Sequence, residues 1–167
     1  EKPFDKISIA DITAVCGLNR QTFYYHFQDK YELLSWIYYN ENFSKITEDI
    51  TFDNWDQKIL EMLQIMEKEK WFYVNTLKEQ EHTFESYLFE MAKALFSEAI
   101  ARLDENNHLN DMEREFDAEF YAYGICGVIV SWTQSGMRIK PEVVAEHLRS
   151  LAKDTERIGY IRSQGII

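Results

Sequence analysis

Residues 7–34, "ISIADITAVCGLNRQTFYYHFQDKYELL", contain two short helical patterns separated by a single glycine. Ser8 can cap the first helix through its hydroxyl, and Asp11 stands three residues later, in the capping-box position. Gly17 follows the first pattern, where a left-handed residue commonly ends a helix. Asn19 can cap the second helix, which we expect to run through "RQTFYYHF" to about residue 28. Two short helices joined by a turn of about three residues predict a helix-turn-helix.

The second helix carries more aromatic rings than one buried face can hide. Phe23 and Phe27 are four residues apart, so we expect both to face the core together with Ile12 and Val15. The three residues between them are then left on the outer surface: Tyr24, Tyr25 and His26. Each of these side chains has an apolar body and a polar tip, which suits contacts to thymine methyl groups, sugars and phosphates.

The start of the second helix also has the residue types that recognise base edges. In a DNA-binding helix-turn-helix the second helix enters the major groove with its N-terminal residues at the bases. Arg20 can bind guanine through two hydrogen bonds, and Gln21 can do the same for adenine. Thr22 can reach a base or a phosphate, while Lys30 and Ser8 can donate to phosphates. An alternative stays open, because small helical heads with exposed tyrosines also occur as protein-binding modules.

The charge of the chain is unevenly distributed. The formal net charge is −11, which taken alone disfavours nucleic acid as a partner. Residues 1–30, however, contain four basic and four acidic side chains, so the rest of the chain carries the whole excess. A neutral head on an acidic body is consistent with a head that approaches a polyanion.

The remaining sequence predicts helices only. The chain has 2 Pro and 6 Gly among 167 residues and is rich in helix formers. Apolar residues recur at helical spacing in five further segments: 29–50, 55–70, 82–105, 111–137 and 141 onward. A short aromatic stretch at residues 71–78 lies between the second and third of these. No strand pattern is convincing, and the tail from residue 159 has no clear pattern. We therefore predict an all-α protein of about eight helices.

Several functional classes find little support. No apolar run approaches the roughly 20 residues that a membrane span requires. Cys16 and Cys126 lie far apart without a metal-ligand motif, which favours free thiols in a reducing cytoplasm. His82 has Glu81 and Glu85 beside it, but three such groups on one turn are typical of a solvated face. No arrangement of nucleophile and base and no phosphate-binding glycine loop stands out, so we expect neither an enzyme nor a cofactor or metal.

The opening stretch resembles the DNA-binding head of the tetracycline-repressor family of bacterial regulators. The shared pattern is an apolar–Ser start, "AxxxG(V/L)", and then "xxTxYxHFxxKxxL", over about the first 35 residues. The later stretch "YAYGICGVIVSWTQSGMRIKPEVVAEHL" is similar to the last two helices of a Firmicutes-type branch of that family. The resemblance implies a helix-turn-helix head over residues 1–34 and a larger helical body for ligand binding and dimerisation over residues 35–167.

The resemblance also implies roles for individual residues of the head. The family's DNA-facing positions correspond here to Arg20, Gln21, Thr22, Tyr24, Tyr25 and His26, with Ser8 and Lys30 on phosphates. The family's first helix would precede Pro3 and is missing from this sequence, so we expect the native chain to extend further. The implied partner is double-stranded operator DNA.

The family further implies a homodimer formed by the last two helices of each subunit. The helix at residues 111–137 is apolar on two sides and therefore requires two burial partners. The residues expected at the interface are Phe116, Phe120, Tyr123, Gly127, Val130, Val144, Leu148 and Leu151. One large monomeric core with a fully buried central helix is the alternative.

A small-molecule effector is the last implication of the resemblance. The aromatic residues of the middle helices are the candidate pocket lining: Trp36, Tyr39, Trp55, Phe72, Tyr73, Phe84, Tyr87 and Met91. Aromatic residues at helical spacing are also what an ordinary core contains, so plain core stays open at each position. An activator or co-regulator of the same fold that works through a partner protein is the alternative to ligand control.

Overall fold

The computed structural model describes residues 2–47, 50–51, 53–104 and 109–163, and these ranges contain helices and no strand. A 3-10 helix at Phe4–Lys6 precedes the first α-helix. The α-helices are α1 Ile9–Val15, α2 Arg20–Tyr24, α3 Lys30–Ile37, α4 Ser44–Thr47, α5 Trp55–Lys68, α6 Lys70–Leu103, α7 Asp111–Gln134 and α8 Pro141–Ser163. The predicted all-α class is confirmed, and Pro141 opens the last helix as expected.

The predicted third helix is present but contains a wider turn. Asp29 caps α3 by accepting from the backbone N–H groups of Tyr31 and Glu32 at 2.8 and 2.9 Å. From Tyr38 to Phe43 the helix changes to a π-helical pattern and then continues as α4. Residues 48 and 49, in the predicted continuation to residue 50, lie outside the described residues. One nearly continuous helix therefore connects the head to the body.

Helix α6 differs most from the prediction. The sequence pattern indicated a short aromatic segment and then a new helix from residue 82, but α6 is a single helix of 34 residues. No Gly or Pro interrupts it, and its inner positions Tyr73, Leu77, Phe84 and Leu88 are all buried. The polar residues between Leu77 and Phe84 interrupt the apolar pattern, which is why the sequence indicated two segments. Burial on both sides of that segment keeps the helix intact.

An aromatic cluster joins the segment that follows α3 to α6. The Tyr38 ring stacks on Tyr73 with centroids 6.1 Å apart and meets Phe84 edge-on at 5.2 Å. The Tyr38 hydroxyl donates to Thr76 Oγ1 at 2.7 Å, so its polar tip is satisfied inside the core. Burial raises the pKa of Tyr38 to about 12. Phe4 from the 3-10 helix belongs to the same core, which ties the N-terminal segment to the body.

The C-terminal half of the core lies between α7, α8 and the earlier helices. Cys126 is fully buried, and this burial raises the pKa of its thiol to about 12. After α7 the chain turns with positive φ at Gly136 and Met137, and Trp132 Nε1 donates to the Ile139 carbonyl at 2.8 Å. These contacts fix the short connection from α7 to α8.

Candidate nucleic-acid interface

A capping box at Ser8 positions the first helix of the motif. The Asp11 N–H donates to Ser8 Oγ at 3.2 Å, and the Ser8 N–H donates to Asp11 Oδ2 at 2.7 Å. Lys2 Nζ donates to the same carboxylate oxygen at 2.7 Å, and with the Ser8 hydrogen bonds it holds the pKa of Asp11 well below its usual range. The Ser8 hydroxyl donates to Asp11 at 2.6 Å, so its first role is within the chain.

The turn between the two helices has the predicted geometry. Gly17 has a φ of 66°, and the next N–H, from Leu18, donates to the Thr13 carbonyl at 2.9 Å. Asn19 then caps α2 by accepting from the Thr22 N–H at 2.8 Å. Both caps and the glycine turn are therefore confirmed, and they orient α2 across α1.

The inner side of the motif differs from the prediction at one residue. Phe23 is buried, and the centroid of its ring lies 5.7 Å from that of Phe27. The Phe27 ring also contacts the Trp36 ring. Val15, expected in the core, is 90% exposed, whereas Thr13 is buried. The Thr13 hydroxyl donates to the Ile9 carbonyl at 2.9 Å, so only its methyl group needs apolar neighbours. Thr13, and not Val15, therefore lies on the inward face of α1, and the spacing of apolar residues could not indicate this.

The second helix is shorter than predicted, and this defines its outer face. Helix α2 ends at Tyr24, with Tyr25 as its C-cap, rather than near residue 28. Four exposed side chains from two successive turns lie together, and we call them the α2 outer face: Arg20, Gln21, Tyr24 and Tyr25. Tyr25 is 75% exposed, and its hydroxyl accepts from Gln21 Nε2 at 3.1 Å.

The other predicted DNA-facing residues have different surroundings. Thr22 is half-buried and its hydroxyl donates to Asn19 Oδ1 at 3.1 Å, so it supports the cap. His26 is exposed just beyond the C-cap of α2. The structure thus groups Arg20, Gln21 and the two tyrosines and leaves Thr22 behind them.

Lys30 is engaged inside the molecule. Its ammonium donates to the carbonyls of Phe4, Asp5 and Ile7 at 2.8, 2.9 and 3.0 Å. It also lies over the Phe4 ring at 4.8 Å and the Tyr31 ring at 5.3 Å. An ammonium has three donors, and all three are used here. The predicted phosphate contact of Lys30 does not fit this geometry.

The predicted pocket residues do not surround one cavity. Tyr73 and Phe84 are fully packed in the core, whereas Trp36 and Tyr39 are about half exposed. Tyr87 packs against Tyr39 and Phe43, and Phe72 lines a separate cavity of about 370 Å³ between the head and α6. Of the eight predicted pocket residues, Trp55 and Met91 alone line the cavity inside the body. The presence of aromatic residues in the sequence could not distinguish residues of the packed core from residues that line a cavity.

A cavity of about 320 Å³ lies between α5, α6, α7 and α8, and we call it the body cavity. Its lining includes three small residues, Ala92, Ala99 and Ala152. Arg149 and Asp56 stand at its edge, with Nε 3.0 Å from Oδ2. Arg149 and the alanines are not predicted from the sequence, although Ala92 and Ala99 are two helical turns apart on the inner side of α6.

The outer side of α7 carries a row of exposed apolar residues that we call the α7 stripe: Met112, Phe116, Phe120 and Tyr123. Phe120 is 65% exposed, a large fraction for a phenylalanine in a folded chain. Gly127 continues this row, and a side chain placed there would meet no neighbouring atom. On α8, Leu151 is also exposed.

Three residues expected at the dimer interface are instead part of the subunit's own core. Val130, Val144 and Leu148 are each less than a tenth exposed. Helix α8 packs along α5, and Val144 and Leu148 belong to the core cluster of the subunit. Both sides of α7 were apolar in sequence, so the pattern could not tell the inner side from the outer side.

Outside the head, His82 has an exposed side chain with Nδ1 4.0 Å from Glu85 Oε2, and the side chain of Glu81 lies outside the described residues. Across the described part of the chain, no three His, Cys, Asp or Glu residues are grouped as metal ligands. No described helix is both long enough and apolar enough to cross a membrane.

Comparisons with known proteins agree with the helix-turn-helix and the helical body. The family model described as "Bacterial regulatory proteins, tetR family" matches residues 1–36. The model described as "Transcriptional regulator C-terminal region" matches residues 53–154. The HTH-type dhaKLM operon transcriptional activator DhaS of Lactococcus lactis subsp. lactis (strain IL1403) is 28% identical over 127 residues, which cover 75% of this chain and 67% of the relative.

The solved structure named "Dihydroxyacetone kinase operon activator DhaS" superimposes with a TM-score of 0.73 at 25% sequence identity. The match covers 95% of this chain and 89% of that chain. The relative and the solved structure share the name DhaS, and both names describe a regulator rather than an enzyme. The family match extends over more than half of the sequence, and the chain therefore belongs to the tetR family of bacterial transcriptional regulators.

Proposed function

We propose that this protein is a cytoplasmic, homodimeric regulator that binds operator DNA through residues 1–34 and responds to a small effector in residues 35–167. The α2 outer face is the observation that carries the proposal. It presents one arginine, one glutamine and two tyrosines to solvent, on a helix that begins at the Asn19 cap and follows the capped α1 and the Gly17 turn. These four side chains combine donors that recognise base edges with aromatic groups that can contact sugars and thymine methyl groups.

The proposed contacts follow from the chemistry of that face. Arg20 binds guanine, and Gln21 binds adenine with its amide oriented by the Tyr25 hydroxyl. Tyr24 and Tyr25 contact thymine methyl groups, sugars or phosphates, and His26 lies close enough in sequence to extend the contact. Thr22 and Ser8 position these groups through their caps and add phosphate contacts only at the edge.

The DNA proposal is tested by fluorescence anisotropy with DNA from upstream of the protein's own gene. Arg20→Ala and Tyr24→Ala each remove one contact and are expected to weaken binding by about tenfold, within the range of one base-discriminating contact. Arg138→Ala and Tyr39→Ala remove the same exposed residue types outside the head and serve as controls. Unchanged affinity in both head variants would show that α2 does not read the DNA.

For the dimer, we infer that the α7 stripe packs against the same stripe of a second copy. A self-complementary apolar patch suits a two-fold axis, and such an axis places two heads on successive turns of DNA. The exposed Phe116, Phe120 and Tyr123 supply the large side chains for this contact, with Gly127 and Leu151 beside them. Val130, Val144 and Leu148 support it from within the subunit.

For the effector, the body cavity is the proposed binding site. Its volume of about 320 Å³ falls at the lower end of small-molecule sites. Both α7 and α8 line the cavity on one side and carry exposed apolar residues on the other. An effector that prefers one arrangement of these helices shifts the population of head spacings and so changes operator affinity.

The second candidate is an activator or co-regulator that works through a partner protein instead of a small ligand. One observation favours the activator part: the similar relative and the similar solved structure are both named as the operon activator DhaS. A transcriptional reporter carrying the upstream DNA distinguishes the cases. Effector response in purified components supports ligand control, whereas a response that requires a second protein supports the co-regulator.

A further inference from the structure

The body cavity has an apolar interior and a charged edge. Its interior lining is mainly aliphatic and aromatic: Trp55, Ile59, Leu95, Phe96, Ile100 and Ile125. Its charged lining residues are Asp53, Asp56, Arg149 and Lys153. A ligand that matches both parts has an apolar body and one polar end.

The four charged side chains at the edge sum to zero, but they are not all paired with one another. Asp56 Oδ2 pairs with Arg149 Nε at 3.0 Å, and Asp53 Oδ1 lies 3.8 Å from Arg102 Nη1. Lys153 lines the cavity without an ion-pair partner among the side chains that the structure describes. A positive group with no pair is notable in a chain whose net charge is −11. The ammonium of Lys153 is therefore the group at this edge that an anionic end of a ligand can meet.

We propose that the body cavity binds a small amphiphilic carboxylate, with its apolar part against Leu95, Phe96 and Ile125 and its carboxylate on Lys153. The proposal rests on the proposed function in taking this cavity as the effector site. Arg149 remains beside Lys153, and its guanidinium has donors beyond the Nε that contacts Asp56. The carboxylate thus meets two cations while the acidic side chains retain their own partners.

Space for the apolar part comes from alanines. Ala92 and Ala99 lie on the inner side of α6, and both are buried. Ala152 lines the cavity from α8. A larger side chain at Ala99 occupies the volume that the ligand requires, so this position separates cavity binding from adsorption to the surface.

The test uses three probes of equal chain length and different charge: decanoate, decanol and decyltrimethylammonium. Each is titrated into the full chain by isothermal titration calorimetry below its micelle concentration. Decanoate is expected to bind saturably, at least about fivefold more tightly than decanol, and decyltrimethylammonium is expected to bind more weakly than either.

Variants then locate the site. Ala99→Leu is expected to reduce decanoate affinity at least about tenfold by filling the cavity. Lys153→Gln is expected to reduce decanoate affinity about threefold to tenfold and to leave decanol affinity unchanged. Lys78→Gln removes an exposed α6 lysine that does not line the cavity and serves as the matched control. Lys153 is exposed, so its variant remains informative even where Ala99→Leu fails to fold.

The proposal is overturned where decanoate does not bind, where decanol binds equally well, or where Lys153→Gln leaves decanoate affinity unchanged. Operator binding of the ligand-free protein is measured on the same samples. A protein that binds its operator but not decanoate contradicts the carboxylate site alone, whereas failure to bind the operator contradicts the proposed function.

Discussion

At the scale of single residues, two polar side chains join segments that are far apart in the sequence. Lys30 joins α3 to three carbonyls of the N-terminal segment, and Tyr38 joins the same long helix to α6 through Thr76. Neither contact follows from local spacing. Lys30 lies at least 23 residues from its partners and Tyr38 lies 38 from Thr76, so only the tertiary fold brings them together.

Lys30→Met tests whether the ammonium is structural. The substitution keeps the length and apolar body of the side chain but removes three charge-assisted hydrogen bonds, which together stabilise the fold by about 2 kcal/mol. We expect the free energy of unfolding in urea to fall by that amount. Lys6→Met, at an exposed lysine whose ammonium lies 3.2 Å from the neighbouring Asp5 carboxylate, is the control.

The alternative role for Lys30 gives the opposite result. A phosphate contact predicts wild-type stability and a slope of operator affinity against salt concentration that is shallower by about one. That pair of results would contradict the structural assignment.

Tyr38→Phe tests the hydrogen bond between the segment that follows α3 and α6. It removes one buried hydroxyl, while Thr76 keeps its bond to the Phe72 carbonyl at 2.8 Å. We expect a loss of about 1 kcal/mol in the free energy of unfolding, measured by chemical denaturation. Tyr39→Phe, at the neighbouring half-exposed tyrosine, is expected to have no effect. Equal effects for the two variants would show that the Tyr38 bond adds nothing.

At the scale of elements, the sequence indicated the helices with clear ends and misjudged those without them. Ser8, Gly17 and Asn19 mark the helix-turn-helix by local chemistry, and the structure confirms all three. Helix α6 has no cap or breaker near residue 82, and its continuity depends on burial of Tyr73 and Phe84 against other helices. Tertiary packing decides such cases, and a local pattern does not contain it.

Ser8→Ala tests the capping box of α1. Loss of the N-cap hydroxyl leaves the Asp11 N–H without its acceptor and is expected to lower the free energy of unfolding by about 1 kcal/mol. Ser8→Asn keeps an N-cap acceptor and is expected to retain most of the stability. Equal losses for both variants would show that capping is not the role of Ser8.

The same capping box predicts a pH dependence. The pKa of Asp11 is lowered in the folded state, mainly by Lys2 and Ser8. Its contribution to stability is therefore full above the unfolded pKa of about 3.9 and is lost as the pH falls through the lower folded value. Asp11→Asn should thus be less stable than wild type at pH 7, and the difference should shrink in strong acid. A difference that is constant with pH would contradict this account.

At the scale of the whole molecule, exposure separates surfaces that sequence could not. Both sides of α7 read as apolar, but the structure buries Val130 and leaves Phe116 and Phe120 in solvent. The body cavity likewise lies apart from most of the aromatic residues that were predicted to line it, and the small side chains of Ala92 and Ala99 on α6 leave part of its space. A single sequence reports which residues are apolar, and the packing of helices determines which of them remain accessible.

The central claim is that a two-fold dimer presents two copies of α2 to DNA, and Phe120→Glu tests it most directly. The charge lies in the centre of the α7 stripe and away from the head, so it is expected to produce a folded monomer. Trp71→Glu, at another large exposed aromatic residue outside the stripe, is the matched control.

Operator affinity of the two variants, with mass measured by light scattering on the same samples, is the deciding measurement. We predict that Trp71→Glu remains a dimer with wild-type affinity, and that Phe120→Glu is a monomer with affinity lowered at least about tenfold, because one head has lost its partner. A Phe120→Glu protein that stays dimeric, or a monomer that binds the operator as tightly as wild type, would contradict the account.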